Sequence, residues 1–554
     1  MTDVATGFRT AATSGLDVLL THSPTLATVS GDHRFDDRLE RLDPASLAAE
    51  RADLDLALAA LDAVDPAQLS ADDAVDQEVL RVALLSRAFT LDELRPLEHD
   101  PLEPNPGTAL YTLLARDFAP LGDRLRSAAA RLRQVPASLA AARDALTVAP
   151  RVHLETAAGQ FAGTRSLIRD ELAAALEQEP ALGAEVEPAR SAALDALDEH
   201  VAWLRERLAA TDGSADGDPR LGPDRFSRKL ALSLDLGKDT AGDAADTVLA
   251  LAEENLERVE AQIAEAAARL GGGVREVLDR LAAEGAVDDS TVVGMCREAL
   301  AATTAFVQEE RLMTVHDDPV EVIVMPELYR GVAVAYCDPP GPLEAAPLPT
   351  YFAVAPTPAD WSAERSRSFY REYNAHMLHQ LTIHEAAPGH VLQLASSRRF
   401  PGSTPVRACL WNGAFVEGWA VYAEELMSDR GYPGVGGPDG NAALRMQQLK
   451  LQLRMTINAI LDIRVHTRGM TEQEALRLMV ERGHQEEGEA VGKWRRALLT
   501  SAQLATYFVG YAAVRDLVAD LRSARPGWDD RRVHDAVLAH GSPAPRHVRA
   551  LLGV

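Results

Sequence analysis

Apolar residues recur at three- and four-residue spacing along most of the chain. Up to about residue 312, segments such as LAAERADLDLALAALDAV and LRSAAARLRQVPASLAAARDAL place charged residues between the apolar ones. This is the spacing of an amphipathic helix, whose apolar stripe faces a core. The same pattern resumes after residue 358 and continues to the C-terminus. The chain is therefore predicted to be mainly α-helical.

A different pattern occupies about residues 318–356. The segments VEVIVMP, GVAVAYCDPP and PTYFAVAP are short runs of β-branched or aromatic residues, bounded by proline and glycine. Such runs are typical of short strands. We expect one small sheet of two to four strands here, directly before the residues that carry the candidate chemistry.

Stretches rich in proline and glycine mark where the helices break. They lie at residues 100–107, 211–224, 270–273 and 431–441. None is an obvious domain boundary. The stretch 211–224 fits a surface loop as well as a linker between domains. We predict a helical N-terminal half over residues 1–315 and a catalytic half over residues 316–554, joined as one continuous compact unit.

The balance of charge excludes some partners. The chain has 554 residues, with 83 acidic against 56 basic ones and a formal net charge of −27. Such a field repels phosphate backbones and anionic lipids, so neither nucleic acid nor a membrane is an expected partner. Three widely spaced cysteines form no disulfide framework, and neither a signal peptide nor a membrane span is evident. We expect a cytoplasmic protein, and the oligomeric state stays open.

The segment HQLTIHEAAPGHVLQLA holds the candidate chemistry. His384 and Glu385 are adjacent, and a second histidine, His390, follows. In many zinc peptidases two histidines one helical turn apart bind the metal, and the glutamate after the first histidine activates a water molecule. The usual spacing between the histidines is four residues, whereas here it is six.

On an undisturbed helix, six steps of about 100° would put His390 some 120° away from His384 round the axis. Pro388 and Gly389 lie between them. A proline cannot donate to the carbonyl four residues earlier and its ring crowds that carbonyl. A local bulge or kink is the expected response, and a bulge that absorbs two residues would return His390 to the face of His384.

A third ligand is expected from the segment FVEGWAVYAEEL. Glu417 lies far enough after His390 for one helix to end and another to pack against it, and small residues such as Gly418 permit close packing. Glu424 follows seven residues later, so both carboxylates can share one helical face. We assign Glu417 as the ligand and Glu424 as the partner that orients a histidine. The reverse assignment stays open.

At these residues the chain resembles a known family. HEAAPGHVLQ followed by EGWAVYAEEL resembles the bacterial family called domain of unknown function 885. That family is similar to the carboxypeptidase Taq family of zinc peptidases and, more distantly, to helical peptidases such as angiotensin-converting enzyme. The resemblance covers about the last two hundred residues, whereas the N-terminal half matches only in its helical character.

The resemblance implies a large helical metallopeptidase-like body with a substrate cleft and one zinc ion per chain. By similarity, His384 and His390 are the histidine ligands, Glu417 is the third ligand and Glu385 is the catalytic base. It also implies an edge strand that pairs with extended substrate, for which we select residues 351–354.

Two later segments match less closely. DIRVHTRGMTEQEAL contains His466 where the family has a histidine, and SAQLATYFVG keeps Tyr507. Either residue could donate a hydrogen bond to the oxyanion that forms during amide hydrolysis. Other positions depart from the family pattern and put substrate preference in doubt. They are Ser501 and Ala502 in place of Pro-Gly, Phe508 in place of lysine, and Val391 in place of a frequent histidine.

Other polar residues near the motif receive weaker assignments. Arg454 and Arg464 could bind the carboxylate of a substrate, although arginines on helices usually face solvent or acids. His376 and His379 have no evident acidic partner in the sequence, and we interpret them as surface or packing residues.

The sequence analysis thus predicts a zinc metallopeptidase acting on short peptides, as a carboxypeptidase or an oligopeptidase. Two alternatives stay open: a zinc amidohydrolase for a non-peptide amide, and a catalytically silent binding protein of the same fold. Glu385 argues against the silent protein, because a purely structural zinc site does not need that carboxylate. Histidine and glutamate ligands suit zinc best but tolerate cobalt or manganese.

Overall fold

The structure is a computed structural model. It describes residues 3–211, 217–237, 242–285, 287–326, 334–358, 361–437 and 439–554. Contacts divide the chain into two compact units. The first consists of Met1–Pro219, Pro340–Leu348 and Ser403–Cys409, and the second of Arg220–Pro339, Pro349–Gly402 and Leu410–Val554.

The main boundary between the units lies next to Pro219, inside the predicted loop 211–224. The prediction of a single compact unit, with two halves that meet between residues 315 and 316, therefore needs correction. The reason is that the helices after residue 220 share one apolar core with the C-terminal helices. Phe226 and Val259, for example, belong to the same buried cluster as Trp419.

Helices build the first unit. They are α1 (Asp3–His22), α2 (Pro24–Ser30), α3 (Pro44–Asp62), α4 (Ala71–Phe89), α5 (Gly107–Ala115), α6 (Leu121–Ala145), α7 (Arg151–Ser166), α8 (Leu172–Gln178), α9 (Gly183–Ala210) and α17 (Val406–Cys409). A buried ion pair holds α17 against α4, in which Arg407 donates to Asp76 across 2.5 Å with each side chain 1% exposed. The short segment around α17 therefore belongs to this unit although it lies far along the chain.

Helices also dominate the second unit. They are α10 (Pro223–Leu234), α11 (Ala244–Arg269), α12 (Val274–Ala283), α13 (Val292–Glu309), α14 (Ala363–Glu372), α15 (Ala375–Glu385), α16 (His390–Ser397), α18 (Gly413–Asp429), α19 (Gly440–Arg468), α20 (Glu472–Arg477), α21 (Glu487–Leu499), α22 (Thr506–Ala524), α23 (Asp530–Leu538) and α24 (Pro545–Leu552). No described helix in either unit has the length and apolar composition to cross a membrane.

One three-stranded sheet precedes α14 and α15, as predicted. Its strands are β1 (Val320–Val324), β2 (Ala335–Asp338) and β3 (Thr350–Val354), in the order β1-β3-β2. β3 runs parallel to β1 and antiparallel to β2. The selection of residues 351–354 as a free edge strand was therefore wrong, because β3 is the central strand and both its sides are paired. The mainly helical body with one small sheet is confirmed.

The sheet packs against the helix that carries the candidate chemistry. Phe352 and Val354 of β3 share a buried cluster with Met377 and Leu378 of α15. Phe352 and Val354 are two residues apart, so both project from the same face of β3. This contact supports α15 from the side of the sheet.

α18 and α22 approach each other closely through two glycines. A Cβ atom on Gly418 would lie 2.2 Å from the carbonyl carbon of Gly510, and one on Gly510 would lie 2.0 Å from the carbonyl oxygen of Ala414. No side chain fits into such distances, so both positions require glycine. The crossing brings the segment that contains Glu417 next to the segment that contains Tyr507.

Candidate metal centre

The chain leaves helical geometry between the two motif histidines. α15 ends at Glu385 and α16 begins at His390. Within the turn, the amide of Gly389 donates to the carbonyl of Ile383, six residues earlier, across 2.9 Å. The interruption was predicted, but it is a complete break between two helices and not the bulge within one helix that we expected. A proline that cannot continue the hydrogen-bond ladder explains the break.

Two further contacts fix this turn. A Cβ atom on Gly389 would lie 1.9 Å from the carbonyl oxygen of His384, so only glycine fits here. Nε1 of Trp419, on α18, donates to the carbonyl of Pro388 across 2.9 Å. The Pro-Gly pair therefore shapes a turn that α18 holds in place.

His384, His390 and Glu417 converge on one point. Their potential ligand atoms all lie within 4.8 Å of one another. Oε2 of Glu417 is 3.3 Å from Nε2 of His384 and 3.6 Å from Nε2 of His390. The two imidazole rings are nearly perpendicular, with centroids 4.8 Å apart.

The donor atoms suit a tetrahedral cation. Atoms bound about 2.0–2.1 Å from a tetrahedral zinc lie about 3.3–3.4 Å from each other, close to the separations of Glu417 Oε2 from the two histidines. This buried oxygen has no hydrogen-bond partner among the described residues. A buried acceptor without a donor is costly unless something else satisfies it. The three side chains therefore fit a zinc ion.

Glu424 contacts the other nitrogen of the first histidine. Its Oε1 lies 2.7 Å from Nδ1 of His384, and its side chain is 3% exposed. A carboxylate that hydrogen bonds with Nδ1 fixes the ring and leaves Nε2 directed at Glu417. This is the arrangement that the preferred assignment of Glu417 and Glu424 predicts.

The charges of the cluster influence each other. Burial by itself would lower the pKa of His384, but the neighbouring carboxylates of Glu417 and Glu424 outweigh burial and raise this pKa. Burial would raise the pKa of Glu417, yet His384 and His390 lower it. Burial raises the pKa of Glu424 despite His384. Glu417 is therefore the carboxylate of the cluster that is held ionised.

Glu385 and Tyr507 lie at the edge of the cluster. Glu385 is half-buried at the end of α15, and its charge adds to the raised pKa of His384. Tyr507 is half-buried in the first turn of α22, and the charge of Glu417 is the first cause of its raised pKa. The structure thus brings both predicted catalytic residues close to the three converging side chains.

His466 is not part of this group. Its Nε2 lies 3.0 and 2.9 Å from the carbonyls of Ala497 and Thr500, and its Nδ1 accepts from the amide of Leu221 across 3.3 Å. Its ring also stacks on Phe226. Both nitrogens are therefore committed to backbone groups, and the prediction that His466 donates to an oxyanion needs correction. Burial lowers its pKa to about 4.

Asp462, in the same predicted segment, has a supporting role. Its two carboxylate oxygens accept from the backbone amides of Ala502 and Ala505, at 3.1 and 2.9 Å. These amides precede α22, so Asp462 fixes the turn from which Tyr507 follows. Asp462 therefore ties this turn to α19, although Ser501 and Ala502 stand where the family has Pro-Gly.

The arginines and histidines with weaker assignments have other partners. Arg464 pairs with Glu253, and Arg454 bonds with Glu489 and with the hydroxyl of Tyr373. His379 lies 2.9 Å from the hydroxyl of Tyr432. His376 does have an acid nearby, since its Nε2 is 3.3 Å from Glu284. None of these four joins the three converging side chains.

One residue near Tyr507 carries no motif in the sequence. Arg496 of α21 donates to Oε1 of Gln503 across 2.8 Å, and its charge acts on Tyr507. In the sequence it is one arginine among many on helices. The only available signal was its helical spacing from Glu489 and Lys493.

The fold and the cluster define a large, mainly helical protein with a candidate His-His-Glu metal centre. The chain belongs to the family described as "Bacterial protein of unknown function (DUF885)", whose model matches residues 24–552. The family resemblance predicted from the sequence is thus confirmed, and over far more of the chain than expected. Among curated proteins, none matches this chain.

Two solved structures are similar over nearly the whole chain. The first is described as "a putative lipoprotein of unknown function from Shewanella oneidensis". It is 30% identical with a TM-score of 0.82, and the match covers 99% of this chain and 100% of the other. The second, "the putative lipoprotein from Colwellia psychrerythraea", is 17% identical with a TM-score of 0.77 and coverage of 99% and 98%.

The descriptions of these two structures name no activity. At 17% identity, the second shows a shared fold alone. The descriptions as lipoproteins disagree with the cytoplasmic location expected from the sequence, which stays a prediction for this chain. The similarity to zinc peptidases of the Taq family also stays a prediction.

Proposed function

We propose that this protein is a zinc-dependent metallopeptidase that hydrolyses short peptides. The observation that carries the proposal is the convergence of His384, His390 and Glu417, with Glu385 directly after the first histidine. The two motifs that supply these residues also resemble those of zinc peptidases. A metal site with a purely structural role would explain the three ligands but would not explain Glu385 beside them.

Each side chain has a distinct role in this proposal. His384, His390 and Glu417 would hold the metal, and Glu424 would keep Nε2 of His384 turned towards it. When bound, zinc supplies a Lewis acid that lowers the pKa of a water molecule beside it. Glu385 accepts a proton from this water and passes it to the leaving amine.

Tyr507 completes the proposed set. The negative charge of Glu417 keeps its phenol protonated, since it raises the pKa of Tyr507. A protonated phenol keeps one hydrogen that it can donate. This hydrogen is suited to the oxyanion that forms when water attacks an amide carbonyl.

The test compares the wild type with Glu385→Gln and His390→Ala, each purified and supplied with zinc. Elemental analysis should find about one zinc per chain in the wild type and in Glu385→Gln, and a loss in His390→Ala. The wild type should hydrolyse members of a panel of short peptides, and Glu385→Gln should be at least about 100-fold slower, because it lacks the general base. Glu425→Gln, on the same helix as Glu417 but bonded to Tyr511, is the control and should stay active.

Several outcomes would overturn the proposal. Full activity of Glu385→Gln would remove this residue as the base, and full zinc occupancy in His390→Ala would remove His390 as a ligand. A zinc-bound wild type that cleaves non-peptide amides alone would make the protein an amidohydrolase. A zinc-bound protein that binds peptides without cleaving either class would make it a binding protein.

A further inference from the structure

A loop near the C-terminus is bonded to the two helices that supply His390 and Glu417. Ser542 lies in this loop, between α23 and α24, and is fully buried. Its backbone carbonyl accepts from the amide of Asn412, the residue before α18, across 2.7 Å. Its hydroxyl accepts from Nε2 of Gln393, on α16, across 2.7 Å. One residue therefore connects both helices.

The contact with α18 is made where this helix begins. The side chain of Asn412 caps α18, because its Oδ1 accepts from the amides of Ala414 and Phe415 at 2.9 and 3.3 Å. Glu417 follows in the next turn of the same helix. Ser542 therefore fixes the end of α18 that carries the proposed ligand.

The contact with α16 is made by a buried side chain close to the second histidine. Gln393 follows His390 by three residues and is 1% exposed. Residues three apart are neighbours on the surface of a helix, and helical side chains lean towards its N-terminus. We therefore expect the amide of Gln393 on the side of His390. The hydroxyl of Ser542 that holds this amide also donates to Ser397 across 2.9 Å.

Two buried atoms of α16 lack a partner. In the part of the chain that the structure describes, neither Nδ1 of His390 nor Oε1 of Gln393 has a hydrogen-bond partner. When Nε2 of a histidine binds a metal, the hydrogen lies on Nδ1, and this N–H almost always donates to a carboxylate, a carbonyl or water. A buried N–H without an acceptor is costly. Gln393 offers the matching acceptor on the same helix.

We propose that Gln393 is the positioning residue of His390: its Oε1 accepts from Nδ1–H of His390 when Nε2 binds the metal, while Ser542 holds its Nε2. This inference rests on the proposed zinc-dependent function and goes beyond its set of ligands. Glu424 orients the first histidine with a carboxylate, and Gln393 orients the second with a neutral amide. A buried amide is less costly than another buried charge, and it can accept and donate at once.

The experiment measures zinc binding in the absence of any peptide. Zinc-free wild type and variants are titrated with zinc in competition with a chelator. Gln393→Met keeps the length of the side chain but lacks the amide, so the affinity should fall about 10- to 100-fold. Ser542→Ala should cause a smaller loss. The double variant should bind no more weakly than Gln393→Met alone, because Ser542 acts on His390 through Gln393.

Gln393→Glu separates positioning from stability. A carboxylate keeps an acceptor for Nδ1–H of His390, and the hydroxyl of Ser542 can turn to donate to it. The zinc affinity should therefore stay close to that of the wild type. The zinc-free variant should nevertheless melt at a lower temperature, because a buried charge is costly. A residue that only stabilised α16 would lose affinity and stability together.

Gln452→Met is the matched control. Gln452 is also fully buried, and its Nε2 donates to the hydroxyl of Tyr511 across 2.9 Å. Its Oε1, like that of Gln393, has no partner among the described residues. The change should lower the melting temperature of the zinc-free protein and leave the zinc affinity unchanged.

Three results would overturn the assignment: wild-type zinc affinity in Gln393→Met, an affinity of Gln393→Glu as low as that of Gln393→Met, or losses that add in the double variant. Should Gln393→Met fail to fold, unchanged affinity in Ser542→Ala would overturn it instead. A wild type that binds no zinc would overturn this inference together with the proposed function. A wild type that binds zinc but hydrolyses no peptide would overturn the proposed function alone.

Discussion

Nδ1 of His384 lies 2.7 Å from Oε1 of Glu424, across the packing of α15 against α18. The bond fixes the ring of the histidine from the side opposite the converging side chains. With a hydrogen on Nδ1, the lone pair of Nε2 is left for a metal ion, which Glu417 would share. The orientation of a proposed ligand is thus set by a residue that does not itself contact the metal.

Glu424→Gln should therefore weaken metal binding without removing any ligand. We expect the affinity for zinc to fall about 10- to 100-fold, as for other carboxylates that orient a ligating histidine. Competition with a chelator measures the change. The neighbouring Glu425→Gln is the control and should keep the wild-type affinity, and equal affinities for all three proteins would contradict the orienting role.

Tyr507→Phe removes one hydroxyl and leaves the ring. If Tyr507 stabilises an oxyanion, kcat should fall about 100- to 1000-fold while KM changes little, because the lost bond forms only in the transition state. Zinc content should stay at the wild-type level. Tyr511→Phe, one helical turn later, removes a hydroxyl that bonds with Glu425 and serves as the control. A parallel rise in KM would instead indicate a role in substrate binding.

Gly389→Ala tests the turn between the histidines. The added methyl group would lie 1.9 Å from the carbonyl oxygen of His384, so the turn must move and His390 must move with it. We expect loss of zinc and a melting temperature several degrees lower. Gly488→Ala, at a position with open space around the new methyl group, should have no such effect. A zinc-loaded Gly389→Ala protein of normal stability would show that the turn tolerates a side chain.

His466 makes the stability of the second unit depend on pH. Burial lowers its pKa to about 4 in the folded protein, compared with the usual 6.5 of a histidine. Between these values the unfolded chain binds the proton and the folded one does not, so the stabilisation present above pH 6.5 is lost as the pH falls towards 4.

At pH 5 this loss should be about 2 kcal/mol relative to pH 7. Urea unfolding of the wild type and of His466→Gln at both pH values measures it. The variant should be less stable at pH 7, because its backbone contacts change, but should lose less stability on acidification. His22→Gln, a change on a surface ion pair of the first unit, should keep the wild-type difference. Identical pH dependence in His466→Gln would exclude His466 as its source.

The motif residues could be predicted because their evidence is local. A break between His384 and His390 follows from Pro388 and Gly389, and the seven-residue spacing of Glu417 and Glu424 places both on one face of a helix. Which of the two lies beside Nε2 of His384 and which beside Nδ1 stayed open in the sequence, and the structure places Glu417 at Nε2 and Glu424 at Nδ1.

Other features depend on contacts between distant segments and could not be predicted. β3 is central because β1 and β2, from either side in sequence, both pair with it. His466 resembles a catalytic residue in the sequence, yet its partners Leu221 and Ala497 come from separate parts of the chain. Arg496 was missed because its contact with Gln503 depends on how the turn before α22 folds.

The contact between α18 and α22 lies next to both the proposed ligand Glu417 and the proposed donor Tyr507. Glu417 is adjacent to Gly418, and Tyr507 precedes Gly510 by three residues, about 4.5 Å along the helix axis. When two rods pivot about a common point, displacement grows with distance from the pivot. Any rotation of the two helices about this contact would therefore change the separation of the ligand and the proposed donor least, because both lie close to it.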